Sequence, residues 1–461
     1  MEGTNKSATL ASVAATCALC AAAAWAPAST EGLLGSVGSA KPIPRTPLWQ
    51  QVASIQPPSD ADWTIGPAVA LKGQTLAVGP GRDWDLGVDR GPVHIFQHAH
   101  DAWKETDVLS HPTDDPHAFF GASIALTDSF LAIGSPYDSS EGFQSGRVFV
   151  YRRLGERWLM DASLQRPESM AGDLAGEAVA IDGDTMVMGV PKADMNGADT
   201  GAAEVFQLRQ GAWIHMNTLT PPTPQIGSLF GLAVSIHEDR MFIGAPGDHT
   251  LGPATGRVHV FRRTASGWTW DGSVLCPSGA RAWFGASIAA AEGCVVVGAP
   301  RAARLPSSES FIRGAAWLIE HRDGAWTCGQ MLVPSGASDA DAMGCAVATD
   351  GRTIVCGASA DSIRGDQVGC AITFTQGSGG WIPHRLDPPS GQPGSLIGHC
   401  VAVNGSWIAI GRLGNPENDP APGEVSLFQC PQEPNEPPRI TRRLDTSVQS
   451  RFAIEPSSHT R

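Results

Sequence analysis

Short runs of β-branched and aromatic residues alternate with glycine-rich turns along most of the chain. Between residues 122 and 164 four such runs are Ala122–Leu126, Phe130–Ile133, Arg147–Tyr151 and Trp158–Leu164. Composition of this kind, bounded by turn residues, is typical of β-strands. The third run is apolar on both faces, which indicates a strand covered on both sides. The pattern therefore predicts groups of four short strands.

Glycines divide the chain into seven copies of one repeat. In every copy a first glycine, usually after phenylalanine, is followed thirteen residues later by a second glycine. The first glycines are Gly66, Gly121, Gly176, Gly231, Gly285, Gly344 and Gly398. The second glycines are Gly79, Gly134, Gly189, Gly244, Gly298, Gly357 and Gly411. In six copies a third glycine follows twelve residues after the second, and in six a tryptophan follows twelve residues after the third glycine.

The length of the repeat indicates what each copy folds into. Gly121, Gly176 and Gly231 are spaced 55 residues apart, and four antiparallel strands of this total length match one blade of a β-propeller. A single blade is too thin to bury a core and must stack on its neighbours. The sequence therefore predicts an all-β, seven-bladed β-propeller whose blades have strands A to D, counted from the first glycine.

The turn between strands A and B can also be predicted. If the first and second glycines face each other, the turn centres fall on Lys72-Gly73, Asp182-Gly183, Asp350-Gly351 and Asn404-Gly405. Asp-Gly and Asn-Gly are preferred in two-residue hairpin turns, since both positions need positive φ. The same register places Cys345 opposite Cys356, where we expect two neighbouring thiols rather than a disulfide.

The two ends of the chain share the last blade. The seventh repeat has strands A to C but no fourth run, whereas Leu48–Ile55 forms an extra run before the first repeat. An N-terminal strand that completes the seventh blade would remove the exposed sheet edges of an open ring. The predicted propeller then covers residues 47–430, with a linker at 29–46 and a disordered, proline-rich tail at 431–461.

Residues 1–28 have the pattern of a signal peptide. Lys6 precedes an apolar stretch from Ala8 to Trp25, and Ala26-Pro27-Ala28 offers small residues for cleavage. An uncleaved, alanine-rich anchor is the alternative. Nothing later is long and apolar enough to span a bilayer, so we expect a mature chain without a membrane span that is secreted, periplasmic or bound at the cell surface.

The net charge argues about partners, and the cysteine positions argue about disulfides. The net charge of −14 argues against nucleic acid as a partner, because phosphate neutralisation needs clustered Lys and Arg. Eight of the ten cysteines lie between Cys276 and Cys430. Cysteines are therefore not a disulfide framework for the whole fold, and their redox state stays open.

The repeat resembles the FG-GAP repeat of integrin α-chain heads and of many exported bacterial proteins. Phe120-Gly121-Ala122-Ser123-Ile124 with Ile133-Gly134-Ser135-Pro136 carries the resemblance, as do Phe230-Gly231 with Gly244-Ala245-Pro246. It covers residues 47–430 and implies a seven-bladed propeller that presents loops for ligand binding or adhesion. Calcium-binding integrin blades have a long acidic A–B loop, so the two-residue turns predicted here imply that those calcium sites are absent.

Candidate binding residues lie in the B–C loops, which emerge with the D–A connections at one end of the blades. Asp83, Asp85 and Asp89 have a calcium-like spacing in the first B–C loop, but they lack a terminal Glu and can equally form a solvated acidic loop. Asp194, Asn196 and Asp199 form a weaker version in the third. No resident cofactor is expected, calcium being the open alternative.

The fifth B–C loop is four residues longer than the others and carries three arginines in an acidic protein. Arg301, Arg304 and Arg313 could hold a carboxylate or sulfate through bidentate hydrogen bonds, although neutral drift of loop length is the alternative reading. Arg364-Gly365-Asp366 spells a tripeptide that some integrins recognise, which in a glycine-rich chain can arise by accident.

The remaining candidates favour structural roles. The repeated tryptophans could stack on sugars, but their fixed place at the start of strand D favours packing between blades. His94, His98, His100, His111 and His117 crowd the first blade without zinc-ligand spacing. No nucleophile elbow, phosphate loop or paired CxxC motif is present in the sequence.

Two functions remain open after these observations. The first is an exported, non-catalytic binding or adhesion module for an extracellular protein or glycan. The second is a polysaccharide-active hydrolase or lyase, which would need a cluster of carboxylates or of Lys, Arg and His facing the central channel. Strand A supplies mainly Ala, Ser, Val and Ile, so the binding module is the function we expect.

Overall fold

The computed structural model shows an all-β chain arranged in seven four-stranded antiparallel sheets. It describes residues 49–57, 65–80, 82–83, 88–89, 91–113, 115, 117–275, 281–302, 314–334, 342–377, 380–413 and 423–430. The predicted linker, disordered tail and signal peptide lie outside these residues. Within the described part every regular element is a strand.

The described residues include thirty strands. The N-terminal strand and the first blade comprise β1 (Gln50–Ile55), β2 (Ile65–Lys72), β3 (Thr75–Pro80), the short β4 (Arg82–Asp83) and β5 (Val88–Asp89), β6 (Val93–Ala99) and β7 (Ala102–Leu109). Blades 2 and 3 comprise β8 (Ser123–Leu126), β9 (Phe130–Ser135), β10 (Arg147–Leu154), β11 (Arg157–Leu164), β12 (Val179–Asp182), β13 (Thr185–Val190), β14 (Ala202–Arg209) and β15 (Ala212–Leu219). Blades 4 and 5 comprise β16 (Ala233–His237), β17 (Arg240–Ala245), β18 (Arg257–Thr264), β19 (Gly267–Leu275), β20 (Ser287–Ala291), β21 (Cys294–Ala299), β22 (Ala315–Arg322) and β23 (Ala325–Leu332). Blades 6 and 7 comprise β24 (Met343–Thr349), β25 (Thr353–Ala358), β26 (Cys370–Gly377), β27 (Gly380–Leu386), β28 (Cys400–Asn404), β29 (Trp407–Arg412) and β30 (Glu424–Gln429).

The seventh blade is closed by the N-terminal strand, as predicted. Its strand order is β28-β29-β30-β1. Strand β1 runs antiparallel to β30, with partners from Gln50↔Gln429 to Ile55↔Val425. Trp49 is buried in the adjoining core. Strand β1 therefore takes the place of strand D, and the outer edge of β30 is paired.

The paired glycines allow neighbouring blades to touch through their backbones. A β-carbon on Gly134 would collide with the carbonyl of Gly176 in the next blade, and one on Gly189 would collide with the carbonyl of Gly231. Within blade 3 the Gly176 N–H donates to the Gly189 carbonyl at 2.9 Å. The thirteen-residue spacing therefore marks a contact around the inside of the ring, where no side chain fits.

The predicted A–B register was wrong by two residues. Ser123, rather than Gly121, is the strand partner of Gly134. The Gly121 N–H still donates to the Gly134 carbonyl, at 2.9 Å. Since Gly121 has a φ of +92°, the chain bends there and regular pairing begins two residues later.

The A–B turns have the predicted two-residue length but are centred one residue further along the chain. The central pairs are Gly73-Gln74, Gly183-Asp184, Gly351-Arg352 and Gly405-Ser406. Glycine thus takes the first central position, with φ values of +56° at Gly73 and +57° at Gly183. The shift also breaks the predicted pairing of two cysteines: Cys356 faces Val347, and Cys345 lies in an irregular stretch of β24. Both are free thiols, and burial raises the pKa of each.

The core consists of apolar layers between adjacent blades. Trp213 at the outer strand of blade 3 packs edge-on against Phe130 of blade 2, with ring centroids 5.3 Å apart. Trp326 of blade 5 makes the same contact with Phe242 of blade 4, also at 5.3 Å. The repeated tryptophans therefore lie between blades, in agreement with the packing role that their position predicts.

Candidate ligand-binding face

The B–C loops and D–A connections form one end of the ring, here called the loop face. The B–C loops of blades 2, 3, 4 and 6 share one backbone shape, in which a left-handed non-glycine residue sits two positions before the third glycine. These residues are Gln144, Asp199, Ala254 and Gln367. A repeated, strained conformation of this kind is held by its surroundings.

Hydrogen bonds between blades hold these loops in place. The Leu174 and Ala175 N–H groups, which lead into blade 3, donate to Gln144 and Ser145 of the blade 2 loop at 3.3 and 3.0 Å. The same two bonds join Leu229 and Phe230 to the blade 3 loop, Trp283 and Phe284 to the blade 4 loop, and Leu396 and Ile397 to the blade 6 loop. These four B–C loops are thereby fastened to the connections that enter the next blades, which makes this part of the loop face a preformed surface.

Buried ion pairs also hold two of these loops in place. Asp138 in the blade 2 loop lies 3.0 Å from His111 Nε2, 3.7 Å from Arg147 Nε, and accepts the Ser140 N–H at 3.0 Å. Burial opposes ionisation of Asp138, but these hydrogen bonds and the Arg147 charge lower its pKa to about 2. Asp248 occupies the same position in blade 4 and lies 3.3 Å from Arg257. These charges stabilise loop geometry rather than face a ligand.

Four large apolar side chains are exposed on blades 2 to 4 of the loop face. Phe143, Met170, Ile226 and Leu251 have relative exposures of 61%, 58%, 69% and 56%. We call them the apolar arc. Sequence reasoning missed these residues, because nothing in the repeat pattern distinguishes an exposed apolar loop position from a buried one.

Backbone contacts bring members of the arc onto adjoining loops. The Gly172 N–H donates to the Phe143 carbonyl at 2.9 Å, which places Phe143 beside the connection that carries Met170. Gln225 accepts the His249 N–H at 2.9 Å, which links the connection that carries Ile226 to the loop that carries Leu251. Exposed apolar patches on rigid loops are typical of interaction surfaces.

Glu177 in blade 3 and His399 in blade 7 occupy matching positions directly after the first glycine. Burial raises the pKa of Glu177 to about 7, and the Lys192 charge opposes this shift. Burial lowers the pKa of His399 to about 4. Both residues come just before an inner strand, where sequence reasoning expected hardly any charge, and it passed them over.

The structure describes one of the three arginines predicted in the fifth blade. The Arg301 guanidinium lies over the Trp283 ring, 4.2 Å from its centroid. Arg304 and Arg313 lie outside the described residues. An anion site formed by the three arginines stays a prediction.

The structure describes some of the acidic candidates in the B–C loops but not Asp85. Asp83 and Asp89 belong to the short β4–β5 ribbon, and Asp85 lies outside the described residues. Asp194 accepts the Asp199 N–H at 2.8 Å, which closes its own loop. No group of three or more His, Cys, Asp or Glu side chains suited to a metal ion occurs among the residues that the structure describes.

The Arg-Gly-Asp tripeptide and the histidines of the first blade contact other residues of the chain. Arg364 of the Arg-Gly-Asp tripeptide donates to the Pro388 carbonyl at 2.6 Å. The first-blade histidines take separate roles: His94 lies 3.1 Å from Glu105, whereas the His98 ring packs against Trp103 and Trp407.

Comparison with known families agrees with this architecture. A family model of the FG-GAP repeat matches residues 158–206 and 213–261. Each match begins in strand D of one blade and ends in strand C of the next. The two matches and the glycine anchors shared by all seven blades fit an FG-GAP repeat β-propeller. No curated protein matches the chain. In the part that the structure describes, no helix could cross a membrane.

Proposed function

We propose that this propeller is an exported, non-catalytic binding module that recognises an extracellular protein through the apolar arc of its loop face. The observation that supports this most directly is the combination of interlocked loops with four exposed apolar side chains at one end of the ring. A preformed surface binds without the entropic cost of ordering its loops. Large apolar side chains are enriched at the centres of protein interfaces.

The choice of a protein over a glycan follows from the chemistry of the arc. Phe143, Met170, Ile226 and Leu251 carry no hydrogen-bonding group in their side chains, whereas a glycan presents mainly hydroxyls. Export is proposed from the signal-like residues 1–28 and from the resemblance to exported FG-GAP proteins.

A polysaccharide-cleaving enzyme is the weaker alternative. Such an activity needs several ionisable groups close together, and Glu177 and His399 belong to blades 3 and 7 rather than to adjoining blades. The proposed module therefore acts by binding alone.

The test begins with an array of extracellular proteins and glycans probed with residues 29–430. The affinity for a protein found on the array is then compared between the wild type, a loop-face variant (F143S, I226S, L251S) and a control (L159S, I214S). Leu159 and Ile214 are also exposed, but they lie on the outer strands β11 and β15.

We expect at least a tenfold loss of affinity in the loop-face variant and none in the control, since truncation of central interface residues commonly costs about 1 kcal/mol or more each. Equal affinities of the two variants would refute the loop face as the binding surface. Binding confined to glycans would refute the protein ligand.

A further inference from the structure

A cavity of about 400 Å³ opens between blades 3 and 4 at the end of the ring opposite the loop face. Strands β14 and β15 of blade 3 form one wall, and the turn between β18 and β19 of blade 4 forms the other. Its described lining includes Arg209 and Arg263 but no carboxylate. This is unusual in a chain with 46 acidic and 32 basic residues. A volume of this size lies in the range of small-molecule sites.

Arg263 is held rigidly at the wall of the cavity. Its guanidinium carbon lies 5.1 Å from the centroid of the Trp268 ring, and one terminal nitrogen donates to the Thr185 hydroxyl. The second terminal nitrogen lies 3.5 Å from Asp184 Oδ1. The Nε of Arg263 is buried and donates no hydrogen bond to a described residue. The guanidinium thus contributes a fixed positive charge to the wall of the cavity.

Arg209 is positioned by a chain of hydrogen bonds. Asp184 accepts from the Gln207 amide at 2.8 Å, and Gln207 Oε1 accepts from Arg209 Nε at 3.0 Å. The terminal nitrogens of Arg209 make no hydrogen bond to any residue in the described part of the chain. They are therefore available for a bidentate contact with an anion.

The equivalent place between blades 1 and 2 shows what is special here. There the Asp107 carboxylate accepts the Trp158 N–H at 2.8 Å and closes the junction. Asn217 and Trp268 occupy the matching positions between blades 3 and 4. The Asn217 side chain lines the cavity but has no hydrogen bond to a described residue. A neutral amide with free donor and acceptor groups replaces a carboxylate that would repel an anion.

We propose that this cavity binds an anionic sugar residue. Its carboxylate or sulfate group accepts hydrogen bonds from the terminal nitrogens of Arg209, close to the positive charge of Arg263, while the Asn217 amide and the Ser266 hydroxyl bind the sugar hydroxyls. Charge-assisted, bidentate contacts supply most of the affinity, and the amide and hydroxyl supply the preference for a sugar. The site is independent of the apolar arc, because it lies at the other end of the blades.

The test titrates the full chain with three probes: trigalacturonate, a sulfated disaccharide and neutral galactotriose. We expect trigalacturonate, the sulfated disaccharide or both to bind, and galactotriose not to bind. Binding of trigalacturonate identifies a carboxylate as the recognised group, and binding of the sulfated disaccharide identifies a sulfate. In the R209Q variant the affinity for that probe should fall at least tenfold, and in N217A it should fall measurably.

Two matched controls separate a specific site from general charge and from misfolding. Arg322 ends strand C of blade 5 as Arg209 does in blade 3, and it is equally exposed but paired with Glu320, so R322Q should bind like the wild type. Arg153 stacks on Trp158 and reaches Thr75 as Arg263 does with its neighbours. R153Q should therefore lose as much thermal stability as R263Q while keeping its affinity.

Three results would overturn the proposal. These are the absence of binding by both anionic probes, equal binding of galactotriose, and equal losses of affinity in R209Q and R322Q.

Discussion

Single glycines decide how closely the blades approach each other. Gly134 has no room for a β-carbon because the carbonyl of Gly176 in the next blade occupies that space. The contact recurs around the inside of the ring, so it affects the geometry of the whole molecule. A substitution there strains two blades at once.

The first prediction concerns Gly134→Ala. The new β-carbon must push the blades apart, and we expect the free energy of unfolding to fall by more than about 2 kcal/mol. Gly155→Ala is the control: Gly155 has a φ of +68° but open space around it, so the cost is only the left-handed backbone strain of about 1 kcal/mol. Urea unfolding measures both. Equal losses of unfolding free energy in the two variants would show that the glycine contact between blades does not contribute to stability.

The second prediction concerns Glu177, whose pKa is raised to about 7 from the ordinary 4.5 by burial. Between these values the folded state binds the proton more tightly than the unfolded state, so the free energy of unfolding falls as pH rises through this window. Glu177→Gln removes the charge. The variant should exceed the wild type by on the order of 1 kcal/mol at pH 8, and the gap should close near pH 4. Chemical unfolding at both pH values tests this, and a gap independent of pH would contradict it.

Loops and turns are the elements that set the two ends of the ring apart. At one end the B–C loops of blades 2, 3, 4 and 6 share a strained shape and are fastened to the next blade by hydrogen bonds. At the other end the A–B turns have two central residues each, for example Gly183-Asp184. This asymmetry places the variable, exposed chemistry on the loop face.

The third prediction is that stability does not depend on calcium. A two-residue turn has too few oxygen atoms to form the long acidic A–B loop of calcium-binding integrin blades. The melting temperature should therefore be the same with and without EDTA. If chelation lowers it strongly and added calcium restores it, the carboxylates of the first B–C loop, beginning with Asp83 and Asp85, bind metal after all.

Strands and their number could be predicted from the sequence, whereas register and surface chemistry could not. The glycine and tryptophan spacing is enforced by packing in every blade, so it is visible in one sequence. The A–B register depends on the bend at the first glycine, such as Gly121, which composition does not reveal. The apolar arc depends on which loop side chains are exposed, and the cavity between blades 3 and 4 depends on the open space beside Asn217. A sequence pattern carries neither kind of information.

At the scale of the molecule, the chain consists of sequential D-A-B-C units that are offset by one strand from the blades. The two family matches have this offset. An offset repeat leaves one strand D at the start of the chain and one blade without it at the end. Closure by β1 therefore follows from the order of the repeat, and only a closed ring holds the loops of adjoining blades in register with each other.

The most direct test of this account compares the melting temperatures of two truncated chains. Deleting residues 47–58 removes β1, exposes the edge of β30 and leaves the core around Trp49 unfilled. Deleting residues 431–461 removes a segment beyond the last blade strand. We predict a large fall in melting temperature for the first deletion and little change for the second, because only the first opens the ring. Equal melting temperatures of the two truncated proteins would contradict the closed ring and, with it, the preformed loop face.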